Sequence, residues 1–168
     1  MMKAIHIVFM TISALGAMVS DAQAQTQSPV ARTAIRSHFA GICMDVPGQS
    51  TTQGTSVQAW TCNNTVAQKF VRTAAQELRV YDGTSNVRCL DNYAYQRNPG
   101  APVVIWPCNG QQNQKWKFAK NGIIYSETSG QCLTINSALP YLQGSNGTRI
   151  SLDKCTGATK QRWSRTFR

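Results

Sequence analysis

Seven carboxylates limit the chemistry this sequence can carry. From residue 45 onward they are Asp45, Glu77, Asp82, Asp91, Glu127 and Asp153, and no two form the spaced pair that serves general acid and general base. Metal binding fares no better. Past residue 24 there is a single histidine, His38, and no two cysteines stand in Cys-x-x-Cys spacing, so zinc lacks a ligand set. Neither catalytic residues nor a metal or other cofactor are expected. The six cysteines therefore point to covalent cross-links.

Those cysteines mark a repeat with a period of about 46 residues. Its first copy reads Cys43-Met44-Asp45, then Gln58-Ala59-Trp60-Thr61-Cys62, then Gln68-Lys69-Phe70. The second reads Cys89-Leu90-Asp91, then Val104-Ile105-Trp106-Pro107-Cys108, then Gln114-Lys115-Trp116. The third reads Cys132-Leu133-Thr134, then Ile150-Ser151-Leu152-Asp153-Lys154-Cys155, then Gln161-Arg162-Trp163. Six cysteines permit about fifteen pairings, and the repeat selects one: Cys43 with Cys62, Cys89 with Cys108, Cys132 with Cys155. Each bridge closes a short loop and is expected to stabilise the fold by roughly 3 kcal/mol.

The elements that must position these residues read as short strands. Leu78-Arg79-Val80-Tyr81 alternates apolar and polar before Asp82-Gly83, and Ile123-Ile124-Tyr125 follows Asn121-Gly122; both dipeptides suit type I′ hairpin turns. No amphipathic run of helical length appears, so the class is all-β. At the start, Lys3, an apolar run from Ile5 to about Val19 and small residues ending at Ala24 have the order of a secretory signal peptide. Residues 1–24 are expected to be removed, 25–33 to form a flexible leader and 34–168 to form one domain, secreted or periplasmic, where disulfides persist.

The Gln-x-Trp ending of the repeats, with Phe70 replacing the tryptophan once, resembles the signature of the ricin B-type lectins. Cys-x-Asp followed by an aromatic residue two positions before the second cysteine resembles it too. The resemblance runs from about Ile35 to Phe167. It implies a β-trefoil of three repeats, each with its own disulfide, in which Phe70, Trp116 and Trp163 pack the core and Gln68, Gln114 and Gln161 hydrogen-bond the chain around them. It also implies a non-catalytic carbohydrate-binding domain, with galactose or its N-acetyl form as the commonest ligand.

A sugar offers an apolar C–H face and a rim of hydroxyls, which an indole and a carboxylate can meet. On the family pattern the second repeat supplies Asp91 for the hydroxyls, Trp106 as platform, Asn113 as amide partner and Gln114 as support, with Val104 where many relatives have glutamine. Tyr93 and Tyr95 stand in the adjacent loop. The first repeat has Asp45, Gln58, Trp60 and Gln68, but Ala67 where the pattern asks for asparagine, a loss expected to weaken the site. Thr134, Asp153 and Lys160 replace the aspartate, aromatic and asparagine of the third repeat, which is not expected to bind sugar.

The net charge of +10 favours acidic partners. Arg149, Lys154, Lys160, Arg162, Arg165 and Arg168 gather at the C-terminal end, so a second surface for anionic polysaccharide, lipopolysaccharide or lipid headgroups is the alternative function. Nucleic acid is not expected, because the aromatics among these cations belong to the Gln-x-Trp motif. A further alternative is the cell-binding subunit of a toxin similar to the cytolethal distending toxins. Any toxin or enzyme partner would then be a separate chain.

Overall fold

Each Cys-x-Asp run begins a hairpin whose second strand ends at the aromatic position. The computed structural model describes residues 31–136 and 146–165. The expected signal peptide, most of the expected leader and Arg168 lie outside those residues. Among the described residues the strands are β1 (Ile35–Ser37), β2 (Cys43–Asp45), β3 (Gln58–Trp60), β4 (Phe70–Arg72), β5 (Leu78–Val80), β6 (Arg88–Asn92), β7 (Ala101–Trp106), β8 (Trp116–Phe118), β9 (Ile124–Ser126), β10 (Cys132–Ile135), β11 (Thr148–Asp153) and β12 (Trp163–Arg165).

β2 pairs with β3, β6 with β7 and β10 with β11, all antiparallel, which sets Cys43 opposite Trp60, Cys89 opposite Trp106 and Cys132 opposite Asp153. The second strands of the three hairpins also meet one another. β11 pairs with β3 and with β7, and a bridge between Ser56 and Val104 joins the first repeat to the second. The remaining hairpins are β4 with β5, β8 with β9, and β12 with β1, the last joining the two ends of the domain. This is the threefold all-β architecture of a β-trefoil. All three disulfides form as the repeat requires, with Cα separations of 5.1, 5.0 and 5.1 Å.

The motif residues that fill the centre are the ones the pattern places there. Phe70, Trp116 and Trp163 are buried, as are Met44, Leu90 and Leu133 from the first hairpin strands and Ala59, Ile105 and Leu152 from the second. A buried indole N–H needs an acceptor. Trp116 donates to the Leu90 carbonyl at 2.9 Å and Trp163 to that of Leu133 at 3.0 Å, whereas Phe70 has no donor to satisfy.

The turns differ from expectation. A type I′ turn needs positive φ at both central residues, but of Asn121-Gly122 only Gly122 has it, and of Asp82-Gly83 only Gly83. Ala119 and Ile123 instead close a three-residue loop with Gly122 at φ 77°, the form that ends in a left-handed residue. A Cβ at Gly122 would lie 2.7 Å from the Trp163 carbonyl oxygen, so tertiary packing and turn geometry both select glycine there. Asp82-Gly83 sits inside a longer connection between β5 and β6.

Candidate functional site

In the first repeat the β2–β3 register sets Asp45 opposite Gln58, so both side chains emerge on one face. The carboxylate, 6 % exposed, accepts from Gln58 Nε2 at 2.8 Å on one oxygen and from Gln68 Nε2 at 3.1 Å on the other. Gln68 is itself fixed: its amide donates to the Thr61 carbonyl at 3.0 Å, and its oxygen accepts from the Asn63 N–H at 2.9 Å. An ionised carboxylate offers about four lone-pair positions, so each oxygen can still accept a hydroxyl. Asp45, Gln58 and Trp60 line one groove of about 410 Å3 together with the Pro47-Gly48-Gln49 loop, Asn63 and Thr65. Trp60 is 36 % exposed.

The second repeat holds its carboxylate the same way with a different donor. Asp91 accepts from Asn113 Nδ2 at 2.8 Å and Gln114 Nε2 at 3.0 Å, and Gln114 ties to the Pro107 carbonyl and the Asn109 N–H. Val104 stands opposite Asp91 where Gln58 stands opposite Asp45. The two repeats thus trade positions. The amide that Ala67 cannot give comes from Gln58 across the hairpin, and the amide that Val104 cannot give comes from Asn113. Ala67 gives no amide in the first repeat, and Gln58 is the second side-chain donor to Asp45 there.

Burial differs more than hydrogen bonding. Asp91 is only 2 % exposed; that burial pushes its carboxyl above the ordinary value, against the opposing hydrogen bonds from Gln114 and Asn113. Trp106 and Val104 line a groove of about 370 Å3 with Tyr93, Gly54 and Pro102, and Asp91 is not one of its walls. Tyr93 meets the Trp106 ring with centroids 6.0 Å apart and tilted by 56°. Tyr95 donates its hydroxyl to Gln111 Oε1 at 3.2 Å. Of the two tyrosines, Tyr93 lines the Trp106 groove.

Each indole is also backed by a glycine from another repeat, which sequence motifs do not reveal. A Cβ at Gly147 would lie 3.9 Å from Trp60 Cζ3, and one at Gly54 would lie 3.6 Å from Trp106 Cζ3. Both glycines have positive φ, and each donates its N–H to the carbonyl just before the tryptophan, Ala59 and Ile105 respectively. The signal available in sequence was a glycine a few residues before the second strand of each hairpin.

In the third repeat Thr134 is fully buried, donating to the Cys132 carbonyl and accepting from Gln161 Nε2. Asp153 accepts from the Lys154 N–H, and Lys160 takes the place held by Asn113 in the second repeat. Among the described residues of this repeat there is no carboxylate-and-indole arrangement. Among the described residues, Arg162 lines a groove with His38 and Lys120, and Arg149 stands in register with Gln58 on β3. Lys154 is exposed, and Arg165 lies on β12.

A family model described as the ricin-type beta-trefoil lectin domain matches residues 31–163. Beta-galactoside-specific lectin 2 of Viscum album is 28 % identical over 150 residues, covering 87 % of this chain and 24 % of that protein. A designed threefold-symmetric protein, ThreeFoil, superposes with a TM-score of 0.69 at 21 % identity, covering 80 % of this chain and 96 % of its own. The C-half of an earthworm R-type lectin, solved with GalNAc, gives a TM-score of 0.64 at 17 % identity, with 80 % and 97 % covered. The chain spans a quarter or less of the length of the curated relatives it matches.

Proposed function

This chain belongs to the ricin-type β-trefoil lectin domain family, and from that premise we propose that its first two repeats bind galactose-type glycans without chemically altering them. The observation that carries the proposal is the groove where Asp45, Gln58 and Trp60 converge. A carboxylate held by two amides is preorganised to accept vicinal hydroxyls, and the half-open indole offers its face to the C–H side of the ring. The relatives that favour galactose over other sugars are the β-galactoside-specific lectin and the earthworm lectin bound to GalNAc.

A role without catalysis is supported by where the other acids are spent. Glu77 pairs with Arg79 at 2.7 Å and Lys115 at 3.1 Å, and Glu127 pairs with Lys117 at 2.9 Å. Secretion belongs to the same proposal, and the three disulfides support an oxidising compartment.

Calorimetric titration with lactose tests the proposal. Wild-type protein should bind it. Trp60→Ala, which removes a surface ring and leaves the core intact, should weaken the first site roughly tenfold with an unchanged melting profile. Absence of lactose and N-acetylgalactosamine binding by folded wild-type protein would refute the assignment.

A further inference from the structure

The first-repeat groove does not end at its own walls. Gln49 lines it and also lines a second cavity of about 480 Å3, and the adjoining residues Thr65 and Val66 stand one in each. That second cavity is walled by Arg32, Lys69, Val66, Tyr81 and Asp82. Arg32 is seated there: its Nη2 donates to the Asp82 carbonyl at 3.0 Å, and Gly83 supplies the space, since a Cβ on it would lie 2.6 Å from that nitrogen. The guanidinium has four further N–H donors.

Charge in the cavity is not balanced from within. Asp82 is its one carboxylate and lies 3.9 Å from Arg79, outside the cavity walls. Among the described residues neither Arg32 nor Lys69 has an ion-pair partner. Apolar surface accompanies the cations, since Val66 is 55 % exposed and the largely buried Tyr81 also borders the cavity.

We propose that this cavity is a subsite for an acidic sugar unit, a uronic or sialic acid carboxylate or a sulfate ester, joined to the sugar held against Asp45 and Trp60. The inference rests on the first-repeat groove being a sugar site and names the glycan class it prefers. Arg32 and Lys69 would meet the anion in charge-assisted hydrogen bonds, while the exposed Val66 takes the apolar face of the same ring. The cations concerned lie at the boundary of the first and second repeats, far in sequence from the C-terminal basic cluster.

The test compares lactose with sialylated and glucuronate-capped lactosides on the full chain, at low and at high salt. Wild-type protein should bind at least one capped ligand roughly tenfold more tightly than lactose, the gain of a partly exposed charge-assisted contact. High salt and the double variant Arg32→Gln, Lys69→Gln should both erase that gain and leave lactose binding unchanged. If lactose binds but no capped ligand gains, or the gain survives in the double variant, the subsite is refuted while the sugar site stands. Binding of free sialic acid or sulfate as tight as that of the capped ligands would overturn the linked-sugar arrangement. If lactose itself does not bind, both the site and the subsite fall.

Discussion

Asp45 and Asp91 each accept from two side-chain amides, and Asp91 is the more deeply buried of the two. Burial raises the Asp91 carboxyl above 3.8 despite its two amide donors. Between 3.8 and its folded value the native protein holds the proton that the unfolded chain has released, so this group's contribution to stability falls as pH rises through that window. On the proposed role of Asp91 as hydroxyl acceptor, sugar binding at the second repeat runs the opposite way, because only the ionised form accepts two hydroxyls. We predict that the response of Trp106 to sugar, followed by NMR across an acid titration, disappears with a midpoint above the ordinary carboxylate value. A midpoint at or below 3.8 would contradict the stated role of burial.

At the scale of elements, loops and pairings decide what each repeat can do. Pro47-Gly48-Gln49 and Tyr93-Ala94-Tyr95 occupy equivalent places and share a left-handed turn, with φ of 57° at Gly48 and 53° at Ala94. Glycine tolerates that conformation and alanine is strained in it. Ala94→Gly should therefore raise stability by about 0.5–1 kcal/mol in denaturant unfolding. Glu77 ties β5 to the segment before β8. Burial alone would raise its carboxyl, but the hydrogen bonds and charges of Arg79 and Lys115 hold it below the ordinary value. Its contribution is present above the unfolded value and lost as pH falls through the folded one. Glu77→Gln should cost about 1.5–3 kcal/mol at neutral pH, and the deficit should shrink in acid. The registered cysteines, aromatics and Gln-x-Trp endings made these hairpins legible in sequence because each fills an equivalent place in one core. The exchange of Gln58 for Asn113 was not legible as compensation, because these donors reach their carboxylates from residues 13 and 22 positions away. The glycine behind each indole escaped for a similar reason: it arrives from a different repeat. The turn types were misjudged because an Asn-Gly dipeptide does not reveal the loop length that tertiary packing imposes.

For the molecule as a whole, threefold repetition places a candidate site in each of two repeats of one three-disulfide body and leaves the third repeat with buried Thr134 in place of the carboxylate. Two shallow sites gain from simultaneous attachment when the surface carries closely spaced sugars. A galactose-coated polymer should therefore bind on the order of a hundredfold more tightly than free monosaccharide, by competition in surface plasmon resonance, and equal affinities would remove multivalency from the account. More basic is the proposed division between the groove-lining indoles of Trp60 and Trp106, which receive sugar, and the buried indoles, which serve the fold. The four tryptophans permit a direct test through their indole N–H signals during a lactose titration at high salt. Shifts are expected at Trp60 and Trp106 and none at Trp116 and Trp163, whose N–H groups are committed to the carbonyls of Leu90 and Leu133. Unmoved signals at all four positions, or shifts that appear only with sulfated ligands and vanish with salt, would contradict that division.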